Sequence, residues 1–530
     1  MSLLPALLMR CGGLDHNCPI TAIDAPCAAK QVVAHFQTPM YSARELARQA
    51  QPAKENAPLQ RAAKPLLKPS HPTGLLRRGL NLWGATAFVV TSMVGTGIFT
   101  VPALVRHATG NGLEMLGVWL VGAALAVCGA LCYAELATRM PRAGGEYQYL
   151  SRVYGPMWGF VSGWITFFVG FAAPTAASAL AAVAYIAAIA PGWNANAPLV
   201  TGLGITQGGL VAALLPLAFA FWHSLGVRPS GRLQSILMVA TISSIALLVA
   251  AGWLTGRGNW HGITQPTTAA GSWWVALIQV SFAYTGWNGA TYLAGEIEDP
   301  RRNLPRALIG GTLIVVALYL ALNLFFLYAL PLEAWRPDIA VGKDAAERLF
   351  GTAGGRFVSA IITFTIIGSL SAWTAAGPRV YFAMAYDGLA PAAFKRLGAQ
   401  SRAPIVALFA QAGVAALLAL TGAFDVLLIY VGSGLLLFSG FTVAAVYVLR
   451  WRYGAEDDSH FRVPGYPFTP ALFLLLVLVS CVQVFLESPI PTGAALLTLL
   501  AGFACYFIGR ALGWFKADLA LLRHAASSND

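Results

Sequence analysis

From residue 80 onward the chain alternates apolar runs of roughly 20 residues with short polar breaks. A helix rises about 1.5 Å per residue, so each run matches a hydrocarbon core about 30 Å thick. Twelve such runs start near residues 81, 114, 156, 208, 232, 272, 306, 355, 404, 424, 468 and 490. The pattern predicts an all-α integral membrane protein with twelve transmembrane helices. Two runs are interrupted at mid-depth: the first by Gly95, Thr96 and Gly97, the sixth by Thr285, Gly286, Trp287 and Asn288. Small residues also let membrane helices pack closely, which would account for one such motif but poorly for two at equivalent depth.

The first and sixth spans are an odd number of crossings apart and therefore run in opposite directions. Paired interruptions of this kind point to an inverted-repeat transporter with its site near the bilayer midplane. The expected organisation is an N-terminal extension over residues 1–75, read as disordered and cytoplasmic, and a first half over 78–254. A second half over 272–450, two further helices over 468–510 and a cytoplasmic tail over 511–530 complete it.

Broken backbone at membrane depth is tolerated only where it lines a cavity or is buried in protein. The outer half of span one begins at the break, so the amides of Thr96, Gly97 and Ile98 form a positive helix end suited to a carboxylate. The carbonyl ends near Met93, and near Phe282, Ala283 and Thr285, are negative and suit an ammonium group. A ligand carrying a carboxylate and an α-amine on adjacent atoms satisfies both poles, and that ligand is an amino acid.

Composition agrees with this picture: 57% of residues are hydrophobic, 11% are charged and the mean hydropathy is +0.65. The net charge of +12 reflects topology rather than a nucleic-acid footprint, because Arg139, Arg142, Arg152, Arg228, Arg379, Arg450 and others fall in loops on one predicted side. That side is the cytoplasm, and it carries both termini. Of the seven cysteines, Cys128, Cys132, Cys481 and Cys505 lie within spans and Cys11, Cys18 and Cys27 in the extension, so no outer-loop disulfide is implied. Cys11, His16 and Cys18 lack the second ligand pair that a zinc site needs. No metal and no cofactor are expected.

Glu135, Glu296, Arg379 and Asp387 fall at cytoplasmic ends of spans, leaving the span centres almost without charge. Intramembrane charges usually mark ion paths or counter-ions, so this absence favours a ligand with no net charge. It also leaves no set of acid, base and nucleophile for an enzyme.

With "GTGIF" in span one, "YAELATRMPRAGGEYQYL" after span two, "FAYTGWNGATYLAGEIEDPRRNLPRAL" across span six, "GPRVYFAMAYDGLAP" after span eight and "RVPGYPFTP" before span eleven, the chain resembles the amino acid–polyamine–organocation superfamily, closest to the L-type and bacterial amino acid permeases. The likeness covers about residues 78–510. It implies a five-plus-five inverted repeat with two extra helices, alternating access, and backbone recognition of the α-amino acid group. By motif position Thr96, Gly97 and Ile98 would take the carboxylate and Met93, Phe282, Ala283 and Thr285 the amine. Phe282 would close the outer side, Trp287 would share in gating, and Asn288 would hold the unwound stretch beside Gly95 and Gly286. Arg139, Arg142, Arg379 and Asp387 are candidates for ion pairs that latch one state, or for a solvated loop.

The chain departs from that pattern in two places. Many proton-coupled members carry a lysine in span five where this chain has Thr241. Thr241 with Ser369 and Ser371 forms a candidate cation site, and exchange without a coupling ion is the other option. The loop "APGWNANAPLVTGLGITQ" has no cysteine, so no disulfide-linked ancillary subunit is expected. The expected partners are an amino acid, the lipid bilayer and a proton or sodium, with no nucleic acid. The sequence thus reads as a plasma-membrane transporter of neutral amino acids, the prevalence of Arg over Lys suggesting a bacterial inner membrane. A transporter of amines, polyamines or cationic amino acids, with Trp287 in a cation–π role, and a non-transporting amino-acid sensor are the alternatives.

Overall fold

Local sequence signals set most helix boundaries. In a computed structural model describing residues 76–190, 192–200, 204–266, 271–331, 334–335, 341–421, 424–453, 460–487 and 489–515, α1 spans Leu82–Met93 and α2 spans Gly97–Ala108. The Asn81 side chain caps α1 by accepting from the Gly84 amide at 2.9 Å. Next come α3 (Gly112–Arg139), capped by Asn111, the short α4 (Glu146–Tyr154) and α5 (Pro156–Ile165). A π-helical turn over Thr166–Ala172 joins α5 to α6 (Ala173–Ile189) as one continuous crossing. The strands β1 (Pro198–Val200) and β2 (Ile205–Thr206) pair antiparallel ahead of α7 (Gln207–Ser224) and α8 (Val227–Leu254).

The second half opens with α9 (Trp273–Ala283), capped by Ser272, and the four-residue α10 (Gly289–Tyr292). Then come α11 (Pro300–Ala329), α12 (Val341–Tyr386), α13 (Ile405–Leu420), α14 (Phe424–Tyr453), α15 (Phe468–Glu487) and α16 (Pro489–Ala511). Gly351, at φ 77°, divides α12 into a short leading helix and a long second helix, close to where the hydrophobic pattern places the eighth span.

Among the described residues eight helices are long and apolar enough to cross a bilayer, or nine when α1 and α2 count as one span bent by 41°. The expected spans near 208, 272 and 404 appear as α7, α9 and α13, with 18, 11 and 16 residues. The predicted N-terminal extension and most of the C-terminal tail lie outside the described residues.

Apolar side chains such as Leu254 (87% exposed) and Leu247 (70%) face outward, while Thr, Ser, Asn and Gln side chains are buried inside. Water would not tolerate that distribution, and a hydrocarbon surround requires it. In the interior α1 packs on α8 and α11, α3 on α11, and α6 on α12. The second half of the first interrupted span, α2, and the first half of the sixth, α9, lie against each other.

Candidate functional site

The first interruption is short. The chain leaves α1 through Val94 at φ −79°, ψ 92° and re-enters a helix at Gly97. Thr96 precedes α2 without making a side-chain capping hydrogen bond, and of the leading amides Phe99 N donates to the Thr96 carbonyl at 3.0 Å. Both glycines are required by close approach. A Cβ on Gly95 would sit 2.6 Å from Ser369 Oγ, and one on Gly97 would sit 2.6 Å from Ala283 Cα.

The second interruption is longer. After Ala283 the chain turns through Tyr284–Asn288, with Gly286 at φ 109° and so close to α1 that an added Cβ would meet the Ser92 carbonyl oxygen at 2.6 Å. Side chains hold what the backbone has released. Asn288 Nδ2 donates to Glu146 Oε1 at 3.1 Å and to Tyr292 Oη at 3.0 Å, and Thr285 Oγ1 donates to the Ser281 carbonyl at 3.1 Å. Trp287 meets Tyr133 edge-on at 4.6 Å between ring centroids and Phe473 at 6.1 Å.

A cavity of about 30 Å³ opens at this second interruption. Its wall includes Phe282, Thr285, Gly286, Trp287 and Asn288, faced by Trp373 on α12 and Ser439 on α14. Of the sequence-predicted residues, Met93, Gly95, Thr96, Gly97 and Ile98 do not line it, and Ala283 is packed against Gly97. Tyr319 on α11 connects the two groups. Its hydroxyl lies 2.6 Å from the Met93 carbonyl and 2.9 Å from the Ala283 carbonyl, bridging the carbonyl ends of both broken helices.

The serines of the candidate cation set each have hydrogen-bond partners of their own. Ser369 lies at the first interruption, where its Oγ accepts from Trp373 Nε1 at 3.1 Å. Ser371 Oγ is taken by His223 Nε2 at 3.0 Å and Gln234 Nε2 at 2.8 Å, and His223 Nδ1 meets Ser230 Oγ at 2.8 Å. Thr241 is buried on α8, which packs on α12.

At the end of the bundle below α10, Arg379 on α12 makes a two-pronged pair with Glu296 at 3.2 Å on each prong, both groups buried. The Glu296 carbonyl in turn accepts from the Gly79 and Leu80 amides, clamping the segment before α1. Arg379 is thus committed to Glu296. Asp387 instead accepts from the Tyr147 hydroxyl at 2.6 Å. Burial, with Arg152 beside it, pulls the Arg142 guanidinium down to about 10 although Asp387 acts the other way. Arg139 and Arg450 both pair with Glu135, at 3.2 and 2.5 Å.

Two residues that sequence reasoning did not single out matter here. Tyr319 is one apolar-looking position in a long run. Glu146 follows two glycines in a presumed loop, yet it is buried and receives the Tyr133 hydroxyl, Asn288 Nδ2 and, at 3.4 Å, Ser439 Oγ. Burial pushes its carboxyl up to about 7, against the opposing effect of those three hydrogen bonds. The one hint in the sequence was its place in "AGGEYQYL", where the glycines permit a tight turn inward: Gly144 and Gly145 have φ 114° and 50°.

Two interrupted apolar helices whose later and earlier halves pack together, with a small cavity at the second interruption, fit the pattern of a membrane carrier. The chain matches the amino acid permease family over residues 80–506 and belongs to it. It is 28% identical over 444 residues to the serine/threonine exchanger SteT of Bacillus subtilis, a match covering 82% of this chain and 97% of that protein. It is 28% identical over 445 residues to the human large neutral amino acids transporter small subunit 2, covering 82% of this chain and 81% of that protein. With the mouse Asc-type amino acid transporter 1 it shares 26% over 444 residues, again 82% of this chain and 81% of the other.

Proposed function

We propose that this chain is a secondary transporter of small neutral L-amino acids, built on twelve transmembrane helices with α7, α9 and α13 completing the count. Residues 78–254 and 272–450 form the two inverted halves, both termini are cytoplasmic, and alternating access moves the substrate across the plasma membrane. The observation that carries the reading is the meeting of poles: the uncapped start of α2 at Thr96–Ile98 and two broken-helix carbonyls, Met93 and Ala283, close enough to share one hydroxyl.

On this reading the substrate carboxylate binds the amides of Thr96, Gly97 and Ile98, and its ammonium takes the Met93 and Ala283 carbonyls from Tyr319. Ammonium is the better donor for two carbonyls because its hydrogen bonds are charge-assisted. The side chain enters the cavity beside Thr285. At about 30 Å³ that cavity has room for about two water molecules, which is the scale of an alanine or serine side chain. Phe282, in the cavity wall at the end of α9, is placed to shut the outer side. The names of the relatives, which span serine/threonine exchange and neutral amino acid transport, support the same class. The outer loop between α6 and α7 contains no cysteine, consistent with a carrier that works without a disulfide-linked subunit.

Uptake of labelled amino acids into proteoliposomes tests this, with inward proton or sodium gradients and with unlabelled amino acid preloaded. Saturable uptake of serine, alanine or threonine, competed by neutral amino acids and not by decarboxylated amines, is the expected result. Uptake of amines in preference to amino acids, or binding without any uptake, would overturn it.

A further inference from the structure

We propose that Glu146 is a proton-binding site linked to the carrier's conformational cycle, protonated while the cavity at the sixth span is closed and released to water when it opens.

The geometry that carries this is a carboxyl buried without a cation. Glu146 is 1% exposed, and among the described residues no Lys or Arg forms an ion pair with it. The arginines of the same stretch, Arg142 and Arg152, are directed electrostatically toward Asp387. The titratable groups around Glu146 are all phenols: Tyr133 from α3, Tyr292 from α10 and Tyr149 from its own helix, with Tyr381 of α12 acting on Tyr292. From α14 it meets the Ser439 hydroxyl. A carboxylate in such surroundings is strongly disfavoured unless water reaches it or a proton neutralises it.

Two of its three donors are also cavity wall. Asn288 and Ser439 both line the 30 Å³ space and both bond to Glu146 Oε1, so anything that spreads that wall also opens the carboxyl's surroundings. The linkage has a definite sign. With Glu146 1% exposed, as here, burial pushes its carboxyl up to about 7, whereas a hydrated carboxyl lies well below that; on this proposal the buried arrangement is the closed form. Between those values the closed form binds more protons than the open form, so closure weakens as pH rises through that window and its added stability is fully present below it. The site takes and releases one proton at a carboxyl oxygen, with no other bond made or broken.

This inference rests on the transport reading, and two measurements separate their failures. In proteoliposomes, exchange of labelled serine by wild type is expected to change with pH around a midpoint near 7. Glu146→Gln, which keeps shape and hydrogen-bond acceptance, is expected to lose that dependence. Tyr133→Phe, which removes a donor that favours the charged form, is expected to move the midpoint upward. A wild-type profile retained in Glu146→Gln would overturn the proposal. Independently of transport, the infrared carbonyl band of a protonated carboxyl is expected in the purified protein, titrating with the same midpoint and missing from Glu146→Gln. If no amino acid moves under any condition but the band titrates as stated, the transport reading fails and the proton site stands. If the band is absent at acid and neutral pH, the proton site fails whatever the transport result.

Discussion

The two interruptions differ in how the chain holds them. At the first, helix stops and restarts within three residues, and the backbone itself is closely packed: Gly97 against the Ala283 backbone, Gly95 against the Ser369 side chain. At the sixth, five residues of turn follow α9, only four residues of helix follow those, and side chains do the holding through Asn288, Glu146 and Tyr292. On the proposed reading, a tight backbone seat presents fixed amides and carbonyls that read what all amino acids share. A side-chain-held stretch can widen, shift and titrate, so it suits the part of the site that reads the variable side chain and responds to conditions.

The strongest way to break this comparison is to unpin the far end of the sixth span. Arg379→Leu leaves Glu296 buried without its partner and should destabilise the protein by about 3–5 kcal/mol, read as lost thermal stability in detergent. An unchanged melting temperature would mean the pair does not hold α10 in place. Gly97→Ala tests the tight seat. Forcing a methyl against Ala283 should cost about 1–3 kcal/mol and reduce serine uptake on the order of tenfold or more at equal expression. Wild-type uptake would show that the close approach is dispensable.

Tyr319→Phe sharpens the link between the two regions. It leaves two buried carbonyls short of a donor, destabilising the ligand-free protein by about 1–3 kcal/mol. If an ammonium takes those carbonyls, saturating serine should raise the melting temperature of this variant more than that of wild type. Equal shifts would separate the amine from that seat. Thr285→Ala should have the smallest effect. A widened wall should favour a larger side chain by about 0.8 kcal/mol for each CH₂ it now buries, read as stronger competition by valine against labelled serine.

Most long crossings were legible because hydrophobic length is a local property: runs predicted near 114, 156 and 468 begin at Gly112, Pro156 and Phe468, while those near 272 and 404 appear as shorter apolar helices from Trp273 and Ile405. The interruptions were legible because they come as a pair at matching depth, where a single glycine motif would read equally as close helix packing. What joins them was not. Tyr319 meets Met93 across 226 residues of chain, and an isolated tyrosine in an apolar run carries no sign of its partners. Glu146 was hidden for the opposite reason, since a Gly-Gly-Glu stretch between spans resembles a solvated loop until the positive-φ glycines turn it inward. The Arg379 contact shows the same limit: its position at a span end was readable, and its choice of Glu296 over Asp387 depends on packing between α12 and the segment after α10.

The Tyr319 hydroxyl also bears on the return stroke. A carrier must bring its vacant site back across the membrane barrier, and doing so with two bare carbonyls would leave both without a donor in a low-dielectric interior. On the proposed reading the single Tyr319 O–H, shared between the two carbonyls, stands in for the ammonium whenever the seat is empty, so the unloaded protein can close over a partly satisfied backbone. That lowers the barrier to an empty return and favours net flux beside one-for-one exchange, with the balance between them set by a single phenol.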